Sequence, residues 1–208
     1  ESNGIRVIPN ANTVEICMDR AKLKNLAKDL GVNTADFKVF NKDQKEEYKR
    51  FMNNHFSTHI SSFEMVVKPI MSSSGKGQSI VSDTQDIEKA WECAEKGSRG
   101  EFKGVIVERF IYFQDEVTIL AVRNDYETVI LDPILQRQVD GDFRESWTCS
   151  NTDKMDFCSA VTMINKFLER FEGRGVFGFE FFNTHSGLVF NEVSPRPHDT
   201  GMITEISE

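Results

Sequence analysis

Residues 178–199 read Gly-Phe-Glu-Phe-Phe-Asn-Thr-His-Ser-Gly-Leu-Val-Phe-Asn-Glu-Val-Ser-Pro-Arg-Pro-His-Asp. Two apolar runs flank the polar stretch Asn183–Gly187, the pattern of a β-hairpin. A three-residue loop, His185–Gly187, sets Thr184 opposite Leu188, Phe182 opposite Phe190 and Glu180 opposite Glu192. Opposed residues share one face, with Cβ atoms about 5 Å apart. Two carboxylates so placed repel by about 3 kcal/mol at an effective dielectric of ~20. Either one acid is protonated or turned to solvent, or a cation sits between them. The second reading makes Glu180 and Glu192 candidate ligands of a hard divalent ion, Mg2+ above all.

Upstream, Asp153–Phe171 has helical apolar spacing and is followed by Gly173 and Gly175. Further strands are expected at Gly4–Pro9, Phe37–Phe40, Glu64–Ile70, Gly77–Ser82, Val105–Ile111, Glu116–Val122 and Thr128–Leu135. Helices are expected at Arg20–Leu30 (capped by Asp19), Asp43–Asn53 and Thr84–Lys96. The order of elements gives an α+β protein with mostly antiparallel sheets. A lobe boundary is expected near Glu108–Phe113.

Between two of these strands lies Met71-Ser-Ser-Ser-Gly-Lys-Gly-Gln78. Small residues permit close backbone approach, Gly75 and Gly77 offer amides to anionic oxygens, and Lys76 adds charge. The spacing is not that of a Walker loop: Ile70 stands where that pattern needs glycine, and Gly77 where it needs Ser or Thr. A plain flexible turn is the competing reading. Lys68, in the apolar strand before the loop, is either a snorkelling edge residue or a rigidly held phosphate ligand. Glu108–Gln114 reads first as a solvent-facing connection, and Gln136–Arg144 as a solvated polar loop. His55 and His59 lack a third ligand nearby and read as surface residues.

The composition is that of a soluble globular protein: 39% hydrophobic, 28% charged, with 17 Phe for the core. The net charge of −8 argues against a general nucleic-acid surface. Cys17, Cys93, Cys149 and Cys158 show no metal-type spacing, and read as reduced thiols of a cytoplasmic protein. No signal peptide and no run of ~20 apolar residues is present, so no membrane association is expected. The chain opens at Glu1 without Met and closes inside an incipient helix, which reads as a portion of a longer protein.

Three motifs, Val67–Gln78, Asp140–Trp147 and Asn191–Met202, together resemble the ATP-grasp superfamily, and within it the formate-dependent phosphoribosylglycinamide formyltransferases. The resemblance covers nearly the whole chain. It implies an ATP-grasp fold of two lobes gripping ATP: residues 1–19 leading from a preceding domain, a small lobe over 20–107 and a large lobe over 108–208. Arg20 and Lys68 would contact phosphates, and Ser73, Ser74, Gly75, Lys76, Gly77 and Gln78 would cover them. Glu108, Arg109, Phe110 and Ile111 would contact adenine, and Glu116 the ribose. Glu180 and Glu192 would bind Mg2+. Asp199 would contact glycinamide ribonucleotide, and Arg196 and Lys76 would be catalytic, beside the transferring phosphate. The implied cofactors are ATP and Mg2+, the implied substrates formate and glycinamide ribonucleotide, and the implied full-length state a homodimer. These 208 residues alone would not complete formyl transfer. Many family members carry Asn where this chain has Ser194. The sister N5-carboxyaminoimidazole ribonucleotide synthases typically carry Asn-Ser in place of Asp199-Thr200, which favours the formyltransferase over that alternative. A non-catalytic nucleotide-binding module is a third reading, against which the intact glutamate pair counts.

Overall fold

A computed structural model describes residues 4–57, 63–73, 75–139, 142–148 and 155–205. Ser74, His59, Cys149, the Asp140-Gly141 turn and the expected helix start at Asp153 lie outside the described residues. The first two helices begin at a side chain that caps them. Asn10 accepts the Thr13 amide to open α1 (Ala11–Met18), and Asp19 accepts the Lys22 amide to open α2 (Arg20–Asp29). Each such cap satisfies a donor that the first turn leaves unpaired, for about 1 kcal/mol. There follow β1 (Phe37–Asn41), α3 (Lys45–Ser57), β2 (Met65–Pro69), β3 (Ser79–Val81), α4 (Ile87–Gly97) and β4 (Gly104–Arg109). Then come β5 (Asp115–Arg123), β6 (Thr128–Ile130), β7 (Ile134–Val139), β8 (Asp142–Thr148), α5 (Phe157–Arg170), β9 (Gly175–Thr184) and β10 (Gly187–Ser194).

Three expected elements differ. Gly4–Pro9 forms no strand. The run Thr128–Leu135 is interrupted at Asp132-Pro133, where proline has no amide to give a ladder. Its two parts, β6 and β7, pair with opposite ends of β5. Gln136–Gln138, expected in a loop, lies within β7 and is followed by β8 in the same sheet.

Contacts divide the chain into two compact units. One comprises Glu1–Thr34, Tyr112–Val139 and Phe143–Glu208; the other comprises Ala35–Ile111 and Asp140–Asp142. The division departs from the expected 20–107 and 108–208. Residues 20–34 belong with the second half of the chain because Leu23 and Ala27 of α2 are buried in its phenylalanine core. Asn33 also accepts the Phe190 amide, and Thr34 forms a parallel bridge with Phe190.

The smaller unit is an antiparallel sheet ordered β1-β4-β2-β3. Successive strand residues face opposite ways. Met65, Val67, Val105 and Val107 therefore join Phe40, Tyr48, Met52 and Trp91 in the core, while Val66, Lys68, Ile106 and Glu108 share the other face. The larger unit is a sheet ordered β10-β9-β5-β7-β8, with β6 beside β5. Phe177, Phe179 and Phe181 of β9 and Phe190 of β10 bury themselves against α5, where the Phe167 and Phe190 ring centroids are 4.5 Å apart.

Candidate functional site

Glu180 and Glu192 are cross-strand partners in the β9–β10 hairpin. The pairing arises by a different route from the one the sequence suggests. The turn is two residues, His185 and Ser186, so that Thr184 pairs with Gly187, Leu188 with Asn183 and Phe190 with Phe181. Thr184 Oγ1 closes the turn by accepting the Ser186 amide and donating to the Gly187 carbonyl. An irregularity between Phe190 and Glu192 then inserts Asn191 and advances the register by one. Without that bulge, Glu192 would face Phe179 in the core. With it, Val193 takes the place opposite Phe179, and both glutamates lie on the face away from Phe177, Phe179 and Phe181. Phe190 is therefore on the opposite side of the sheet from the acids, not beside them.

Each carboxylate has a basic side chain beside it. Arg20, at the start of α2, holds an NH2 nitrogen 3.3 Å from Glu192 Oε2. His198 Nε2 lies 3.2 Å from Glu180 Oε1. The Thr200 amide donates to His198 Nδ1, so the neutral ring carries its proton on Nε2 and donates it to Glu180. Burial disfavours the charged ring, but the hydrogen bond and charge of Glu180, with Asp199, outweigh it and raise the His198 pKa above its ordinary 6.5. Close approach of this segment requires a bare backbone at Gly178, whose Cβ would meet His198 Cβ at 2.8 Å. Arg196 NH1 pairs with Asp199 Oδ1 at 3.1 Å on the exposed surface.

Next to the glutamates on the same face, β5 sets Thr118 opposite Glu180, and Glu116 opposite both Phe182 and Gln136. Thr118 and Gln136 are 0% and 5% exposed, and among the described residues Thr118 Oγ1 and Gln136 Oε1 have no hydrogen-bond partner. Buried polar atoms normally find one. Thr118 and the contact of His198 with Glu180 are not singled out by the sequence, which reads Gln136 as part of a solvated loop. The two-residue alternation Glu116, Thr118 along β5 was the signal for the first.

Among the described residues no group of three or more His, Cys, Asp or Glu side chains is placed to hold a metal. The glutamate pair nevertheless fits Mg2+, which binds through one or two carboxylates and completes its shell with waters and substrate phosphates.

In the smaller unit, Lys68 Nζ lies 2.7 Å from Glu108 Oε2, and the two residues are 7% and 3% exposed. Glu108 is thus buried, not part of a solvent-facing connection. The amides of Arg109 and Phe110 donate to Asp36 and Glu64 carbonyls, and the Arg109 guanidinium lies 4.2 Å from the Phe63 ring centroid. Ile111 is half-buried. In the glycine loop, the Lys76 amide donates to Ser73 and the Gln78 amide to Gly75, with Gly75 and Gly77 at φ +66° and +76°. Ser73, Lys76 and Gln78 are exposed. His55 Nε2 donates to the Phe63 carbonyl, 2.8 Å away.

Two antiparallel sheets joined in this order, one with a glycine loop and the other with an acidic hairpin, define a fold class. Residues 25–208 match the family described as ATP-grasp domain, and the chain belongs to that family. It is 44% identical over 211 residues to the formate-dependent phosphoribosylglycinamide formyltransferase of Prochlorococcus marinus (strain MIT 9515), covering 100% of this chain and 52% of the relative. It is 43% identical over 206 residues to the protein of the same description from Flavobacterium psychrophilum, covering 98% and 51%. The chain thus spans about half the length of the curated relatives it matches. Among solved structures, carboxyaminoimidazole ribonucleotide synthase from Aspergillus clavatus complexed with ATP superposes with a TM-score of 0.83 at 18% identity, covering 98% of this chain and 51% of that one. N5-carboxyaminoimidazole synthetase from Staphylococcus aureus complexed with ADP gives 0.81 at 18% identity, covering 99% and 52%. At that identity the likeness is one of fold.

Proposed function

We propose that this chain is the Mg-ATP-binding portion of an enzyme that formylates glycinamide ribonucleotide with formate. The observation that carries the reading is the Glu180–Glu192 pair, brought onto one face of the sheet by a bulge that spares the core a buried carboxylate. The names of the curated relatives support the choice of substrates. Formate oxygen attacks the γ-phosphorus of ATP to give formyl phosphate and ADP. The amine of glycinamide ribonucleotide then attacks the formyl carbon, and phosphate leaves.

The chain's own part is positioning and charge neutralisation. Glu180 and Glu192 would hold Mg2+, which would supply positive charge to the phosphate oxygens. Arg20, Lys68 and Lys76 supply positive charge to the phosphates, and the loop Ser73–Gln78, Ser74 included, covers them and keeps water from the acyl phosphate. Glu108–Ile111 contact adenine, through groups other than the Arg109 and Phe110 amides, which are already engaged. Glu116 binds the ribose hydroxyls, Arg196 stands by the reacting phosphate and Asp199 contacts glycinamide ribonucleotide. The full-length enzyme acts as a homodimer.

ADP release by the full-length enzyme should depend on formate together with glycinamide ribonucleotide. Dependence on bicarbonate and aminoimidazole ribonucleotide instead would transfer the reading to the sister carboxylase. Glu192→Gln should lower turnover by at least about a hundredfold, since even partners one step removed from a metal contribute 10- to 100-fold. Unchanged turnover would leave the glutamate pair without a catalytic task.

A further inference from the structure

α4 ends on a glycine that its helix does not require. Glycine at a helix terminus ordinarily lies just past the end, in left-handed backbone. Gly97 is instead the last residue of α4 and is not among the glycines with positive φ; Ser98 after it is extended, at φ −65° and ψ 142°. Alanine would suit the helix better. The reason for glycine lies across from it. A Cβ on Gly97 would stand 2.4 Å from both Cα and N of Gly77, and 2.8 Å from the Lys76 carbonyl carbon. A Cβ on Gly77 would stand 3.0 Å from Gly97 Cα, 3.1 Å from the Cys93 oxygen and 3.2 Å from Ala94 Cα. Every one of these neighbours is backbone, so no side-chain rotation relieves the overlap. The other end of the same loop is tied to the same turn. The Met71 carbonyl accepts the Arg99 amide at 2.9 Å, and Ser98 Oγ lies 3.4 Å from it.

We propose that Gly97 is a positioning residue for the glycine-rich loop. Its missing side chain lets the Lys76–Gly77 backbone seat on the last turn of α4, while Arg99 and Ser98 hold the loop's start at Met71. The seat fixes the backbone that carries Lys76 and the loop amides, and so how tightly they hold a nucleotide's phosphate chain. Gly97 itself touches no substrate. The inference rests on the phosphate-binding reading of the loop given above.

Gly97→Ala in the full-length protein should push the Lys76–Gly77 backbone off the helix and lower the melting temperature, because the 2.4 Å overlap is with backbone and outweighs the gain of a better helix former. It should also weaken ATP binding at least tenfold, raise the KM for ATP by more than kcat falls, and speed trypsin cleavage after Lys76 when nucleotide is present. Unchanged ATP affinity with unchanged cleavage at Lys76 would overturn the proposal. The unaltered protein gives a reading that needs no variant to fold. ATP should slow amide hydrogen exchange at Arg99 in step with residues 71–78, and protection of the loop with none at Arg99 would also overturn it. An unaltered protein that binds no ATP removes the functional reading and this inference together.

Discussion

Lys68 and Glu108 illustrate how a single residue pair can be read wrongly as ornament or as strength. Both are buried, and their 2.7 Å contact offsets part of the cost of that burial. Breaking such a pair costs more than never having had it. Lys68→Met should destabilise the smaller unit by about 3–5 kcal/mol, because Glu108 stays buried without its cation. The double variant Lys68→Met, Glu108→Leu should recover most of that loss. Denaturant unfolding of the three proteins decides, and a single variant as stable as the double would mean that the charges are not coupled. The residue scale is also where the sequence was least complete. That Glu180 and Glu192 fall near each other on paired strands is legible in the sequence. That Arg20 and His198 are the basic groups beside them is not. Arg20 stands 172 residues from Glu192 in the chain, and is brought there by the packing of α2 on β10. The repulsion that the sequence assigned to a metal is already eased by protein groups, which a bound ion has to share or displace.

At the scale of elements, the β9–β10 hairpin carries an extra residue at Asn191. Deleting Asn191 would regularise the ladder while leaving Phe190 opposite Phe181 and Glu192 opposite Glu180. Deleting Val189 would instead turn Phe190 out of the core and set Asn191 in its place, a loss comparable to the ~3–5 kcal/mol of removing a core phenylalanine. The Asn191 deletion should therefore melt well above the Val189 deletion. Equal melting temperatures would mean that the bulge lies elsewhere. Periodicity made the hairpin, the helices and both halves of the strand pattern legible. It gave the right partner for Glu180 through two errors that cancel: a loop one residue too long, and no bulge. An alternating pattern counts residues but is blind to where an additional one is accommodated. The Asp132-Pro133 break was present in the sequence as a proline, yet the apolar residues on both sides masked it as one strand.

For the whole molecule, the family was legible because three motifs fall in order along the chain. The division into units was not, because it depends on which core the amphipathic helix α2 joins, and both candidates are apolar. A ligand that binds only the folded state stabilises it by mass action, by about 2.7 kcal/mol at a hundred times its dissociation constant. For 150–250 residues each kcal/mol is worth roughly 2–4 °C. Mg-ATP at that concentration should therefore raise the melting temperature by roughly 5–11 °C, and chelation of the metal should remove most of the shift. Scanning calorimetry with and without EDTA tests this, and an ATP effect indifferent to chelation would detach the nucleotide from the glutamate pair. No helix among the described residues is long and apolar enough to cross a membrane.

The smaller unit is drawn almost wholly from the unbroken stretch Ala35–Ile111. Its first and last strands are partners: Phe37 pairs with Glu108, and the Arg109 amide donates to the Asp36 carbonyl at 2.9 Å. Entry and exit are thus side by side, separated by one inter-strand spacing of about 5 Å. Such a block is topologically a cassette. Because its two main crossings to the rest of the chain are neighbours, exchanging the block for a homologous one would leave the threading of the remainder unchanged.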